Sequence, residues 1–279
     1  AHQVNAKLPQ AVSAVLNQAL AKKPPERFAS GTVLVAALVE ALKPQPAPTP
    51  RVEVVSPPKP AAQPSTRVRE KDGMVEVYIS AGEFLMGSKD GSSDELPQHK
   101  VYLDAYWMDQ TPVTNAMFAR FLNERGSQQE ENSDWYFQLL GKIKQNGKTW
   151  RVESGFEQHP VVGVNWYGAR IYAAWAGAQL PTEAQWEKAA RGTDGRMYPW
   201  GNREPDATLV KFSEHVGNTT PVGSYPGGAS PYGVLDMAGN VLEWCADWYG
   251  ETFYKGSPLR NPTGPASGEF RAVRGTFSI

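Results

Sequence analysis

Residues 233–249 read GVLDMAGNVLEWCADWY, and the rest of the chain is interpreted outward from them. Asp236-Met-Ala-Gly239-Asn240 is turn chemistry, because Gly and Asn tolerate a positive φ. Val241-Leu-Glu-Trp-Cys245 then reads as a buried, strand-like run. Asp236 and Glu243 flank the tight turn, so their carboxylates could converge with carbonyl oxygens lying between them. A hard cation such as Ca²⁺ takes a cluster of about six to eight oxygens. On spacing alone the plainer reading outweighs a metal: Asp caps the turn, Glu is solvated, and short motifs often match by chance.

Further stretches extend the pattern in order. They are Gly82-Glu-Phe-Leu-Met-Gly87, Pro97-Gln-His-Lys-Val101, Thr111-Pro-Val-Thr-Asn115, His159-Pro-Val-Val-Gly-Val-Asn-Trp166, Leu180-Pro-Thr-Glu-Ala-Gln-Trp-Glu-Lys-Ala-Ala-Arg191, Tyr198-Pro-Trp-Gly-Asn202 and Pro221-Val-Gly-Ser224. With the 233–249 stretch, this set resembles the formylglycine-generating enzyme (sulfatase-modifying factor) family over about residues 72–279. The resemblance implies an α+β, C-type-lectin-like fold with short strands, two to three helices and much irregular loop. It also implies Ca²⁺ at the turn, held by the side chains of Asp236 and Glu243 and the carbonyls of Gly239 and Val241. A second Ca²⁺ site of the family would fall near Ala207-Thr-Leu209, where the expected Asn is absent.

Length and composition set the bounds. The 279 residues can hold one large domain plus an appendage, and 41% hydrophobic content is enough for a real core. A net charge of −1, from 28 basic and 29 acidic residues, gives no electrostatic case for nucleic acid or an anionic membrane. No apolar run approaches a membrane span, and no signal peptide opens the chain. One cysteine cannot form an internal disulfide, which fits a reducing, cytoplasmic setting. Both ends read as cut: the chain starts on Ala, and Arg271–Ile279 is strand-like with no closing turn.

Residues 1–42 read as a helical hairpin. Val12, Val15, Leu16, Ala19 and Leu20 form one apolar face, and Pro24-Pro25 stops that helix. A second helix starts near Ser30 and carries Leu34, Leu38, Ala41 and Leu42 on one face. The pattern from Leu8-Pro9 through Lys23-Pro-Pro-Glu-Arg27-Phe28 to Ser30 resembles the last two helices of a bacterial serine/threonine kinase C-lobe; a generic hairpin or dimerisation element is the other reading. No Gly-rich loop, HRD or DFG is present, so this chain cannot itself phosphorylate. Residues 43–70 are a linker, with eight prolines between Pro44 and Pro64. Such composition favours extended polyproline II, and its residues 43–66 could reach roughly 70 Å at about 3.1 Å per residue.

The domain proper is expected over 71–279. Val75, Val77 and Ile79 alternate as a half-buried strand, with Phe84–Met86 following as the second arm of a hairpin. Lys100–Met108 reads as one more strand. Helices are expected over 115–125, from Asn165 to Ala176, and from the capping box Thr182-Glu-Ala-Gln185 to Gly192. Residues 127–158 form a polar insertion, tethered by Trp135, Tyr136 and Phe137. Trp135 and Trp150 are its candidates for surface contacts. Residues 193–230 and 250–270 are loop.

Cys245 is the first suspect for chemistry, but a lone Cys in a strand is most often a small core hydrophobe. The oxidases of the resembled family use a copper-binding cysteine pair, and soft thiolates suit Cu(I). The resemblance puts that pair after the Arg-Gly segment, beyond Ile279, so copper is expected only if a further segment carries it. His99 and His159 are expected to bond loop backbone. The resulting expectation is a Ca²⁺-stabilised recognition or regulatory module behind a serine/threonine kinase in cis. Its ligand is a peptide, protein or small molecule, and neither nucleic acid nor a membrane span is involved. The alternative is an oxygen-dependent formylglycine-generating or related oxidase.

Overall fold

The computed structural model describes residues 15, 18–19, 31–42, 65–126, 129–130, 133–211 and 219–275. The chain divides into a unit of residues 1–60 and a unit of residues 61–279. In the first, α1 (Gly31–Leu42) is the expected second helix, with Val35 and Val39 exposed. The first arm of the expected hairpin, apart from helical residues 15, 18 and 19, and residues 43–64 of the expected linker lie outside the described residues. No described helix is long and apolar enough to cross a membrane.

The second unit begins with β1 (Thr66–Val68), β2 (Val75–Ile79) and β3 (Gly82–Met86), followed by β4 (His99–Leu103) and β5 (Tyr106–Asp109). Residues 66–68 were expected in the linker; instead they form an antiparallel edge on β2, with Arg67 opposite Glu76. Their backbone bonds, not their polar composition, decide the state. The expected β2–β3 hairpin is also corrected. β2 pairs with β1 and β5, while β3 pairs with β4 in a separate sheet. The single strand expected over Lys100–Met108 breaks after Leu103, and its two halves serve different sheets.

Three helices follow where local chemistry places them. In α2 (Asn115–Arg125) the Thr114 hydroxyl accepts from Met117 N–H, and Gly126 closes the end. In α3 (Trp166–Ala176) Asn165 accepts from Gly168 N–H, and Gly177 caps in the left-handed conformation with φ 81°. In α4 (Glu183–Arg191) Thr182 and Gln185 satisfy each other's backbone in a capping box. Short hairpins β6 (Gln129–Glu130) with β7 (Ser133–Asp134), and β8 (Ile143–Asn146) with β9 (Thr149–Val152), build the insertion. Last come β10 (Glu243–Trp248) and β11 (Arg271–Arg274), which pair antiparallel.

The core is in three parts. Val77, Ile79 and Met108 of the first sheet pack on Trp186, Ala189 and Ala190 of α4, with Met237, Cys245 and Ala272. Phe84, Met86, Val101 and Leu103 pack on Ala184 and Tyr254. Phe118, Phe121 and Leu122 of α2 pack with Tyr172 of α3 and with Trp135, Tyr136, Ile143 and Trp150. Trp135, expected as a tether as well as a candidate for surface contact, and Trp150, the other such candidate, are core residues at 6% and 5% exposure. Burying a large apolar side chain stabilises by about 1.5–3 kcal/mol. Two indoles therefore dock the insertion onto the helices, while Phe137 stays partly exposed.

Candidate functional site: an acidic turn wired to a buried helix

The turn of residues 233–243 has the backbone its residues demand. Asp236, Gly239 and Asn240 take φ values of 57°, 78° and 62°. A Cβ on Gly239 would stand 2.7 Å from Val210 Cγ2, so the close approach also requires glycine. The Asn240 amide clamps Thr220, accepting from its N–H at 3.0 Å and donating to its carbonyl at 3.2 Å. One Asp236 oxygen, Oδ2, accepts from Gly223 N–H at 2.7 Å. The turn is held from outside by indoles: Trp244 donates to Val164 O at 3.0 Å, and Trp166 to Cys245 O at 2.8 Å.

Both acidic side chains turn inward. Glu243 Oε2 accepts from Trp186 Nε1 of α4 at 3.2 Å, and Glu243 Oε1 is buried with no hydrogen-bond partner among the described residues. Burial pushes the Glu243 carboxyl up to about 8; the Trp186 N–H opposes this and the Asp236 and Asp109 charges add to it. Asp236 is raised by burial as well, against the Gly223 N–H. The solvated Glu that spacing alone favoured is therefore not what folds. The Gly239 carbonyl accepts from Val241 N–H at 2.8 Å. A Cβ on Gly275 would stand 2.8 Å from the Val241 carbonyl oxygen, so the Arg-Gly segment passes directly over it. Among the described residues, no three His, Cys, Asp or Glu side chains form a metal-holding group; the expected set has two carboxylates and two carbonyls.

Behind the turn, α4 buries charges that the sequence reading did not single out. Glu187 accepts from Gly87 N–H and Arg191 through Oε1, both at 2.7 Å, and from Arg274 through Oε2 at 2.8 Å. Lys188 is fully buried and donates to Ser80 O at 2.8 Å and Gly82 O at 2.9 Å. Arg271 lies between the rings of Trp166 and Trp248, at 3.7 and 3.4 Å from their centroids. Helical spacing marks α4 as amphipathic but says nothing of these partners.

Cys245 has 0% exposure, and burial raises its thiol well above the ordinary value. It is therefore no thiolate ligand or nucleophile. His99 Nδ1 lies 2.9 Å from Pro97 O, and His159 Nδ1 lies 2.9 Å from the Thr219 hydroxyl. A cavity of about 370 Å³ adjoins the turn, lined among others by Tyr106, Trp107, Tyr172, Gln185, Glu243 and Trp244. Its size and mixed lining suit a small ligand or a short peptide segment.

Comparison with known proteins gives these features a context. The model of the sulfatase-modifying factor enzyme 1-like domain matches residues 60–277. A serine/threonine-protein kinase of Chlamydia caviae is 45% identical over 206 residues, covering 71% of this chain and 32% of that protein. The matched share far exceeds the first sixty residues, so the similarity lies mostly in the second unit. The chain spans about a third of the length of these kinase relatives. The formylglycine-generating enzyme of Streptomyces coelicolor is 36% identical over 265 residues, covering 78% of this chain and 83% of that one. Among solved structures, PvdO from Pseudomonas aeruginosa superposes with a TM-score of 0.61 at 24% identity, covering 77% of this chain and 87% of that one. That likeness supports the mixed α+β fold.

Proposed function

The chain belongs to the sulfatase-modifying factor enzyme 1-like family, and from that premise we propose that it is a calcium-stabilised recognition module, lectin-like in arrangement, joined to a serine/threonine kinase in one polypeptide. The observation that carries the calcium reading is the acidic turn. Glu243 Oε1 is buried without a partner, and the Asp236 charge acts on the same carboxylate. Two buried carboxylates with no cation against them among the described residues are costly, and a hard divalent cation offsets that cost. The side chains of Asp236 and Glu243 would hold it with the carbonyls of Gly239 and Val241. Gly239 O already accepts one bond and keeps a second lone pair to offer. The ion would supply the local positive charge that the turn lacks.

The kinase linkage is supported by chlamydial kinases that are 45–46% identical to this chain. It is supported also by the kinase-like pattern of residues 8–30. The cavity beside Glu243 is the place for a peptide or small-molecule ligand. Calorimetric titration of CaCl₂ into chelator-treated protein tests the calcium reading. Saturable binding with a rise in Tm is expected, and identical melts in calcium and in chelator would sink it. Reading the coding sequence on either side of these codons tests the linkage; flanking sequence without kinase motifs would remove it.

A second reading, an oxygen-dependent formylglycine-generating or related oxidase, is favoured by the 36% identity to the Streptomyces enzyme. Cys245 is the one cysteine here and is buried. A copper-binding thiolate pair would thus be supplied from outside these 279 residues. Incubation of a cysteine-bearing sulfatase peptide with copper, O₂ and the product of the whole gene, flanking codons included, decides it: formylglycine in the mass spectrum establishes the oxidase, and unmodified peptide rejects it.

A further inference from the structure

We infer that Trp186 is a positioning residue for the calcium ion: its indole N–H ties down one oxygen of Glu243 and thereby presents the other to the cation. The inference rests on the calcium reading above and adds to it a residue 57 positions away on a different element.

Trp186 is on the second turn of α4, a helix started by its capping box and closed at Gly192. Its side chain is 5% exposed and belongs to the first core cluster. The Arg274 guanidinium lies 5.4 Å from the ring centroid. A ring packed on that scale has few rotamers open to it, so the direction of its N–H is set by the core. That N–H meets Glu243 Oε2 at 3.2 Å.

A glutamate side chain normally loses several torsional freedoms when it is held for an ion. Here the core has already restricted them. The hydrogen bond fixes the carboxylate plane, and Oε1 remains buried and unpartnered. Groups that orient a carboxylate ligand from behind typically contribute about 10–100-fold in metal affinity.

The arrangement also differs from packing alone. A phenyl ring fills most of the same volume but offers no donor. Trp186→Phe therefore separates the N–H from the ring. Chelator-treated wild type and W186F are titrated with CaCl₂ by calorimetry, and both are melted in chelator and in calcium. The expected result is about 10–100-fold weaker calcium binding by W186F, with a lower Tm than wild type already in chelator, from the smaller ring in the core, and a wider gap in calcium. Equal affinities overturn the role of Trp186 while leaving the calcium site standing. No calcium binding by the wild type removes the site and the inference together.

A donor put back at this position provides the second arm. Trp186→His returns a ring N–H, and recovery of at least about tenfold over W186F is expected, within the range cited for such partners. Failure of folded W186H to recover affinity overturns the inference. Should W186F not fold, W186H is read against wild type, and a loss greater than about a hundredfold counts against it.

Discussion

Two of the buried acidic clusters among the described residues are built on opposite terms. At the edge of the first sheet, Arg69 donates to Asp72 at 3.0 and 2.8 Å and to Asp109 at 2.8 and 3.0 Å. Tyr172 adds a hydrogen bond to Asp72 at 2.8 Å. Burial alone would raise Asp72, but Arg69, Tyr172 and the Met74 N–H outweigh it and hold the carboxyl below its usual range. At the 233–243 turn the carboxylates of Asp236 and Glu243 have N–H donors but no cation, and both are pushed up. The first cluster carries its counter-charge in the sequence, although burial still raises Asp109 against Arg69. The second shows no such cation among the described residues, and a proton or the proposed calcium ion would supply the missing charge. Buried acids are thus informative about ligands when their cation is missing, not simply because they are buried.

The largest effect that tests this contrast is at the closed cluster. Arg69→Met leaves Asp72, whose side chain has 0% exposure, without its partner. Destabilisation of about 3–5 kcal/mol is expected in urea unfolding, and calcium should not restore it. Restoration by calcium would erase the distinction between the clusters.

Next in size is the open cluster. With calcium at a hundred times its Kd, wild type should gain about 2.7 kcal/mol over chelator-treated protein. Glu243→Gln should lose that gain while melting no lower than wild type in chelator at pH 8, since it removes a buried charge. A variant that keeps the calcium gain would place the ion elsewhere.

The pH dependence has a definite sign. Glu243 binds its proton more tightly when folded, at about 8, than at its ordinary value of 4.5. Its contribution is full below pH 4.5 and is lost as pH rises through about 8. Asp236, also raised, acts in the same direction. In chelator, the Tm should therefore fall from pH 5 to 8, and calcium, by replacing the proton, should flatten that fall. Calcium affinity should rise over the same window. A Tm in chelator that climbs across it would show that the turn is not the dominant titrating site.

The smallest effect is a control. Lys100 and Glu83 pair at 3.6 Å with 71% and 64% of their side chains exposed. Lys100→Ala should change stability by less than about 1 kcal/mol, with or without calcium.

Much of the fold was legible because it is local. Thr114, Asn165 and the Thr182–Gln185 box close bonds within three residues, so the starts of α2, α3 and α4 follow from neighbours in sequence. The positive φ at Gly239 and Asn240 is legible for the same reason, while that at Asp236 is not. Pairing was less legible. β3 has the pattern to follow β2 in a hairpin, yet its partner is β4. Lys100–Met108 alternates without a visible break, yet Asp104-Ala105 sends its halves to two sheets. Trp135 is buried as its tethering role requires, whereas Trp150 sits in a polar stretch that suggests surface and is buried only by the docking of that stretch on α2 and α3.

By itself, then, the sequence determined the helix ends, the turn between Asp236 and Glu243 and membership of a family whose motifs run in order. Each is written in contacts of a few residues or in whole-chain similarity. Tertiary structure decided which strands pair, that Arg69 closes one acidic cluster, and that Glu243 faces Trp186 and keeps one oxygen unpartnered. Those outcomes depend on charges and donors brought together across 40 to 57 residues of chain. Burial then sets their strength, because the same carboxylate is inexpensive in water and costly when enclosed without a cation.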